Sequence, residues 1–441
     1  MGVSIRVPTS VRAALMLVAG LAASPTQAVD FFVDSTLDQL DDDVLDGLCH
    51  TAAGTCTLRA AVMQANRISG AGANIFLPAG TYTLTRPAAG GDGDDSGDLN
   101  FTAPAAGNPI IELIGAGAQS TIIDANQLER VIRIDAGREA NLTALTLRNG
   151  FAVSGLGGGL YSAGATRLTR VVIRDSQASI LGGGIFVPGA VGSALRILES
   201  VIRNNQAGNS GGGLSAVGAT TVERSIVSGN SALYGGGIDA QPGADVRIVS
   251  STVSANRAAL DAGGIQVGFN GSVNVYSSTV AFNQADSDQN GFGEGGGAQV
   301  SPSGTLNLRN SLLAGNYVFD SQNPDDCAGS VASYGRNLFG DTTGCTVVLG
   351  SGSWDLLNDL ATLGPLAKNG GPTETHALLP GSNAIDGGDP VNGCIGPTAP
   401  LTEDQRGAPR YSGLWCDVGA YEEGALFFDG FESGDRSAWS L

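Results

Sequence analysis

Side-chain oxygens at alternate positions give one stretch of this sequence the makings of a metal loop. Asp286, Asp288 and Asn290 are followed by Gly291, with Glu294 three residues further on. Oxygen ligands spaced in this way wrap a hard cation while a glycine makes the turn, so the stretch is expected to hold Ca²⁺. Glu294 stands ninth and not twelfth, a departure from the calcium loop of helical proteins. Asp261 precedes one glycine cluster as Glu294 precedes the next, so these two carboxylates are expected to stack and to join the site. The competing reading is an acidic surface insertion. Asp92, Asp94, Ser96, Gly97 and Asp98 make a second, weaker version of the pattern.

Arginines are the other candidates for chemistry. Arg148, Arg174, Arg203 and Arg309 are expected on the outside of successive repeats, where they could contact uronates; a solvated outer face is the plainer account. Glycoside hydrolysis asks for paired carboxylates, and lyase chemistry for a base beside a cation that acidifies the α-proton. The repeats hold neither histidine nor lysine, and no aspartate is evident beside the arginines, so no catalytic residues are assigned. Gly208-Asn209-Ser210-Gly211-Gly212 fits G-x-S-x-G but falls at a repeat corner, not at a strand–helix elbow. His376 reads as a packing or hydrogen-bonding residue.

What positions these residues is a repeat from Asn141 to Asn316. With a serine as zero, apolar or small residues fall at −5 and −3, an aliphatic at +2 and an asparagine at +5. Leu195, Ile197, Ser200, Ile202 and Asn205 are one copy; Thr220, Val222, Ser225, Val227 and Asn230 are the next. The asparagines Asn205, Asn230, Asn256, Asn283 and Asn316 are 25, 26, 27 and 33 residues apart. Periods in this range mean a solenoid, and the alternation within each copy is strand and not helix. The expected fold is therefore all-β: a right-handed parallel β-helix whose coils stack at about 4.8 Å. Stacking would build an aliphatic core, a serine column and an asparagine ladder. Glycine clusters, such as Gly211–Gly213 and Gly235–Gly237, would turn the corners.

The chain has 441 residues and a net charge of −19, with Lys368 its only lysine. That balance carries no footprint for nucleic acid or anionic membrane. Residues 1–28 read as a secretory signal: Arg6 and Arg12, an apolar run from Ala13 to Ala23, and Thr26-Gln27-Ala28 as the cleavage site. The apolar run is too short to span a bilayer, and no transmembrane segment is expected in the mature chain. Six cysteines form three local pairs, Cys49 with Cys56, Cys327 with Cys345 and Cys394 with Cys416. In an exported chain these are expected to be disulfides stapling irregular regions that lack a core of their own.

Ahead of the repeats, Leu58 to Asn66 fits one helical face with Thr57 as N-cap. A solenoid end exposes core and unpaired strand edges, so a polar-backed helix over that end is expected. Cys56-Thr57-Leu58-Arg59-Ala60-Ala61, with Asp46-Gly47-Leu48-Cys49 upstream and Gln64-Ala65-Asn66 downstream, resembles the CSLREA domain. It departs in having Thr57 for the usual Ser and Ala60 for the usual Glu. The repeats resemble those of polymorphic outer membrane proteins and pectate-lyase-like β-helices. Asp341 to Glu423 resembles the choice-of-anchor Q domain, through Asn369-Gly370-Gly371-Pro372-Thr373, His376-Ala377-Leu378-Leu379-Pro380-Gly381-Ser382, Asp404-Gln405-Arg406-Gly407 and Asp417-Val418-Gly419-Ala420-Tyr421-Glu422. The end, Phe428-Asp429-Gly430-Phe431-Glu432-Ser433-Gly434-Asp435, resembles a C-terminal tag of secreted bacterial proteins.

These readings divide the chain into a signal peptide (1–28), a CSLREA-like cap with the first coil (29–101), β-helix repeats (102–320), a choice-of-anchor Q-like, disulfide-stapled region (321–423) and a tail (424–441). The resemblances imply an exported bacterial surface or secreted protein, expected to be monomeric. It would bind a polysaccharide or a host- or cell-surface ligand without catalysis. A Ca²⁺-dependent uronate lyase on the same scaffold is the alternative.

Overall fold

A computed structural model of the chain describes residues 27–424, apart from positions 69, 71, 89–92, 105, 106, 108, 154, 320–322, 351–353, 391, 392, 411 and 412. Most of the expected signal peptide, Asp92 of the second acidic loop and the tail beyond Gly424 lie outside the described residues.

The alternating pattern folds as a parallel β-helix, with parallel sheets of twenty, eleven and seven strands among the described residues. A central coil shows the plan. Leu214–Ala216, Ala219–Glu223, Ile226–Ser228 and Ser231–Ala232 follow one another around the section, and Gly235–Gly237 lead into the next coil. Each strand stacks in register on its counterpart; Val222 lies over Ile197 and under Ile248. The −5, −3 and +2 columns point inward and form one apolar core running from Phe31 to Phe339.

The asparagine ladder is continuous. The Oδ1 of Asn230 accepts the backbone N–H of Asn205 at 2.9 Å and its Nδ2–H at 3.0 Å, and Asn256 and Asn283 repeat this one coil on. Each Nδ2 also donates to a carbonyl one coil back in the sequence, as Asn256 does to Val227 at 2.9 Å. Serines form a parallel column, in which Ser225 Oγ accepts the N–H of Ser200 and Ser251 Oγ that of Ser225, both at 3.0 Å.

Glycine was expected to turn the corners, and it does so at one corner of the coil. The residue before each serine, and before Leu145 and Val171 at the same position of two earlier coils, is left-handed although it has a side chain: Ala144, Arg170, Glu199, Arg224, Ser250, Ser277 and Asn310 have φ between 42° and 55°. So is the residue before each ladder asparagine, including Asn204, Ala255 and Phe282. Such a backbone costs about 1–2 kcal/mol per residue. The serine and asparagine bonds that follow offset it by satisfying buried N–H groups. Glycine is obligatory where the coils touch: a Cβ on Gly237 would sit 2.6 Å from the carbonyl of Gly264 and 2.8 Å from Asn256 Nδ2.

Stacking extends beyond the repeat at both ends. Val29–Phe32 pairs with Ala73–Leu77, which pairs with Ile110–Gly115. Past Asn316, Cys327–Ser333 stacks on Thr305–Arg309 and Cys345–Leu349 on Cys327–Ser333; Leu338–Phe339 and Leu356–Leu357 continue the flank. The repeat fades there because other residues take its roles. Asp326 Oδ1 ends the ladder, accepting Asn316 N–H at 2.9 Å and Nδ2–H at 2.7 Å. Asn337 ends the serine column by accepting the N–H of Ser311 at 2.9 Å. All three expected disulfides are formed. Cys327–Cys345 joins two stacked coils, and not an irregular region as expected.

The helix α1 (Leu58–Arg67) lies over the N-terminal end, and Thr57 Oγ1 caps it by accepting Ala60 N–H. Its far side is not the solvated polar back that was expected, because every residue from Leu58 to Asn66 is buried. Loops on both sides cover it and are held by the motif residues. Arg59 bonds Asp38 at 2.5 Å and the carbonyls of Gly97 and Asp98; Gln64 bonds Asp41 and Asp43; Asn66 bonds Asp94 and Asn100. No described helix is long and apolar enough to cross a membrane.

Replacing Asn256 by Ala removes the acceptor of two buried Asn230 donors and the donor to Val227, so a loss of about 3 kcal/mol is expected. Gly237→Ala is expected to lower the denaturation midpoint comparably through its carbonyl clash. Urea titrations of both, beside an exposed-loop control such as Val191→Ala, check this.

Candidate functional site

Three outer surfaces carry the candidate residues. The first is the acidic insertion. Asp261 and Glu294 are adjacent as expected, with Asp261 Oδ1 accepting the N–H of Glu294 at 3.1 Å. Burial raises the Asp261 carboxyl, against that N–H contact. Asp286 is buried, and its two oxygens accept the N–H groups of Asn290 and Gly291 at 3.0–3.2 Å. Asp288 accepts Asn290 Nδ2–H at 2.9 Å. Asp286 is thus occupied with the backbone of its own loop, Asp261 with the N–H of Glu294 and Asp288 with the Asn290 amide. Among the described residues no group of three or more His, Cys, Asp or Glu is placed to hold a metal ion. In the second acidic loop, Asp94 is held by Asn66 and Arg67 and Asp98 faces Arg130.

The second surface is the flank built from three-residue strands. Arg148, Arg174 and Arg203 lie in one outward column, as expected. Arg309 does not belong to it: it stacks on Tyr276, on a different sheet. The sequence reading also missed a carboxylate. Asp124 occupies the same column one coil before Arg148 and bonds it at 2.8 Å, while Asp175 pairs with Arg174. Asp124 precedes the clear repeats, so only coil stacking reveals the pairing. After Arg203 the column changes to Ser228, Ser254, Ala281 and Ala314.

That change has a physical cause. The C-terminal segment folds back as a strap over this half of the flank. Arg410 is buried and donates to the carbonyls of Ser277 and Gly419 at 3.2 and 3.0 Å. Gln405 accepts from Thr252 Oγ1 at 2.6 Å, and Asn310 Nδ2 donates to the Asp417 carbonyl at 2.9 Å. His376 donates from Nδ1 to the Gly364 carbonyl, which leaves Nε2 to accept from Ser254 Oγ at 2.8 Å; its ring packs 4.9 Å from Phe282. The motif residues of the segment are therefore a buried polar network. Ser210, of the G-x-S-x-G match, lies at a coil corner and bonds Asn209.

The third surface remains open: the outer face of the five-residue strands. Its central column runs Asn141, Arg167, Arg196, Thr221, Arg247, Asn274, Asn307. Two clefts lie along it. One, of about 350 Å³, is lined by Asn141, Arg167, Arg196 and Thr221 over a floor of Ala165, Ala194 and Ala219. The other, of about 270 Å³, is lined by Asn274, Tyr276, Asn307, Leu308, Arg309 and Tyr334. Asn307 donates to Asn274 at 2.9 Å, while Asn307 Oδ1 and Arg309 Nε have no hydrogen-bond partner. Tyr334 is 55% exposed; of the cleft-lining arginines, Arg196 pairs with Glu223 at 2.7 Å, while Arg167 and Arg309 have no carboxylate partner among the described residues. The residues at −4 and −2 from each serine spell out this face in the sequence, although attention to the inward columns passes over them.

Together these features define a parallel β-helix with one flank strapped shut and one polar face open. No protein-family model matches the chain, and no curated protein is detectably similar to it. Among solved structures, that of the pectate lyase Pel9A is similar over 90% of this chain and 97% of that one, with 14% identity and a TM-score of 0.46.

Two titrations govern the strap. Burial pushes Asp417 up to about 7 against the N–H of Glu423, with the Glu422 charge adding to the rise. Its folded value exceeds the unfolded one, so its stabilising effect is lost as pH rises through 7. Burial lowers His376, against its bond to Gly364, so stability tied to its neutral form is lost as pH falls below about 6.5. Resistance of the strap to proteolysis is expected to increase from pH 8 to 6.5 and then level off. In His376→Gln the increase should continue on further acidification.

Proposed function

We propose that this chain is an exported, non-catalytic carbohydrate-binding rod. The observation that carries the reading is the cleft of Asn274, Tyr276, Asn307, Arg309 and Tyr334. Amides offer paired donors and acceptors to sugar hydroxyls. Exposed tyrosine rings supply flat, amphipathic contact area, and an unpaired guanidinium supplies a directional fork. An Asn307 acceptor and an Arg309 donor already lack partners within the protein. The column repeats at the coil spacing, which suits a linear polymer lying along the rod. Export is supported by three disulfides, which persist in oxidising compartments, and by the signal-like residues 1–28. A bacterial surface location is what the sequence resemblance of the two terminal regions to CSLREA and choice-of-anchor Q proteins would imply.

The second reading is a Ca²⁺-dependent lyase. It is favoured by Asp124, Arg148, Arg174 and Asp175 meeting on the uncovered part of the flank. Calcium at the 286–294 loop would first have to displace the N–H groups held by Asp286.

Both readings are tested by incubating the chain from Val29 with pectate, alginate and hyaluronan, with Ca²⁺ or EDTA. Retention on a polymer without unsaturated products is the expected result, and calcium-dependent ultraviolet absorbance would overturn it. Arg309→Ala and Tyr334→Ala are each expected to weaken retention about tenfold, the loss of one charged or aromatic contact. Arg148→Ala should leave retention unchanged.

A further inference from the structure

Only one of the two clefts on the open face carries the reading above, and the other has its own chemistry. Ala165, Ala194 and Ala219 follow one another in one outward column, and their small side chains leave a trough. Arg167 and Arg196 line it, in register on neighbouring coils. Like charges set directly opposite one another are destabilising. Glu223 offsets this for Arg196 at 2.7 Å, whereas Arg167 is exposed and has no carboxylate partner among the described residues. Arg309, in the other cleft, is in the same condition, and its Nε lacks any hydrogen-bond partner.

Charge along this face runs against that of the whole chain. From Ala165–Thr169 to Thr305–Arg309 the outward residues include the arginines Arg167, Arg196, Arg247 and Arg309 and the acids Glu223 and Asp245. Four arginines against two acids leave a local +2, in a chain whose net charge is −19. Both acids are taken up, Glu223 by Arg196 and Asp245 by Arg247, each at 2.7 Å. The surplus is therefore Arg167 and Arg309, one in each cleft. Ahead of Arg167 the same face turns acidic, with Asp30, Glu112 and Glu139, and Glu139 lines the edge of the first cleft.

We propose that the two clefts are the ends of one site for an anionic polysaccharide, in which Arg167 and Arg309 each take an acidic group of the same chain. This rests on the carbohydrate-binding reading of the open face and adds the charge and the least length of the ligand. A guanidinium meets a carboxylate or sulfate with two parallel N–H bonds. From Arg167, five register steps through Arg196, Thr221, Arg247, Asn274 and Asn307 lead to the strand of Arg309. At the spacing of stacked strands the two are about 24 Å apart along the rod. A shorter ligand reaches one cleft only. A longer one reaches both, and its second contact is then intramolecular. The acids of the first coils oppose an anionic chain beyond Arg167, which confines it to this stretch.

Titrations of the chain from Val29, in EDTA, with size-fractionated oligomers of alginate and of a sulfated galactan test this. The two series distinguish carboxylate from sulfate, and their extended lengths run from below to above about 24 Å. The expected result is an affinity that rises about tenfold or more at that length in at least one series. The step should shrink as salt screens the two contacts. Carboxyl-reduced alginate oligomers of the same lengths should show none. In Arg167→Ala, at an exposed position, long oligomers should bind no better than short ones, whereas Arg257→Ala, exposed on the seven-stranded sheet, should keep the step. A gradual rise with length, a step that Arg167→Ala leaves in place, or one that the reduced oligomers share overturns the two-cleft site and leaves carbohydrate binding standing. No binding of any oligomer or parent polymer removes the carbohydrate reading itself, and this inference with it.

Discussion

The asparagine ladder is the constraint on which the other features depend. One Oδ1 takes two donors from the coil before, and one Nδ2–H reaches back to a carbonyl. Each coil therefore fixes the turn of its neighbour. The ladder tolerates no lateral slip, because the glycine packed against each amide has no room for even a methyl group. With the corner fixed, the preceding strand must present alternate residues inward and outward in the same register on every coil. The core, the arginine column and the amide-lined face all follow from that.

Much of this was legible because a solenoid stacks like on like, so a column in space is a recurrence in sequence. Leu195 over Thr166 or Val246 over Thr220 needs no tertiary information once the serine is taken as zero. Legibility fails where a role changes residue type. Asp326 finishes a ladder of asparagines, Asn337 a column of serines, and Asp124 answers arginines from a coil whose spacing is irregular. It fails again where contacts are long-range. Thr252 and Gln405 are 153 residues apart, and nothing local to either predicts the bond. The switch from Arg203 to Ser228 and Ala281 was present in the sequence, but its cause, a strap that needs small side chains beneath it, was not. The acidic insertion shows the converse: alternate aspartates look like ligands in sequence, yet the loop folds on to its own N–H groups.

The section of the rod has distinct faces, and this asymmetry bears on function. The strapped flank spends its polar groups internally, through Arg410, Gln405 and His376. The five-residue sheet keeps its polar groups outward, and its clefts retain donors and acceptors with nothing to bond. The carbohydrate binding proposed above therefore concerns one long face, and substitutions around the rest of the section are expected to act on stability first.

The strap also changes how load enters the rod. A plain stack of coils would respond to tension on its C-terminal side by peeling, one coil at a time from the free end, since each coil is held only by its neighbours. Here the chain leaving the last coils is bonded along the flank at Ser250, Thr252, Ser254, Ser277, Thr279 and Asn310. A pull on that segment is distributed as shear over several coils at once, so the rod should give way at a higher force and in one larger step than its repeats alone would allow.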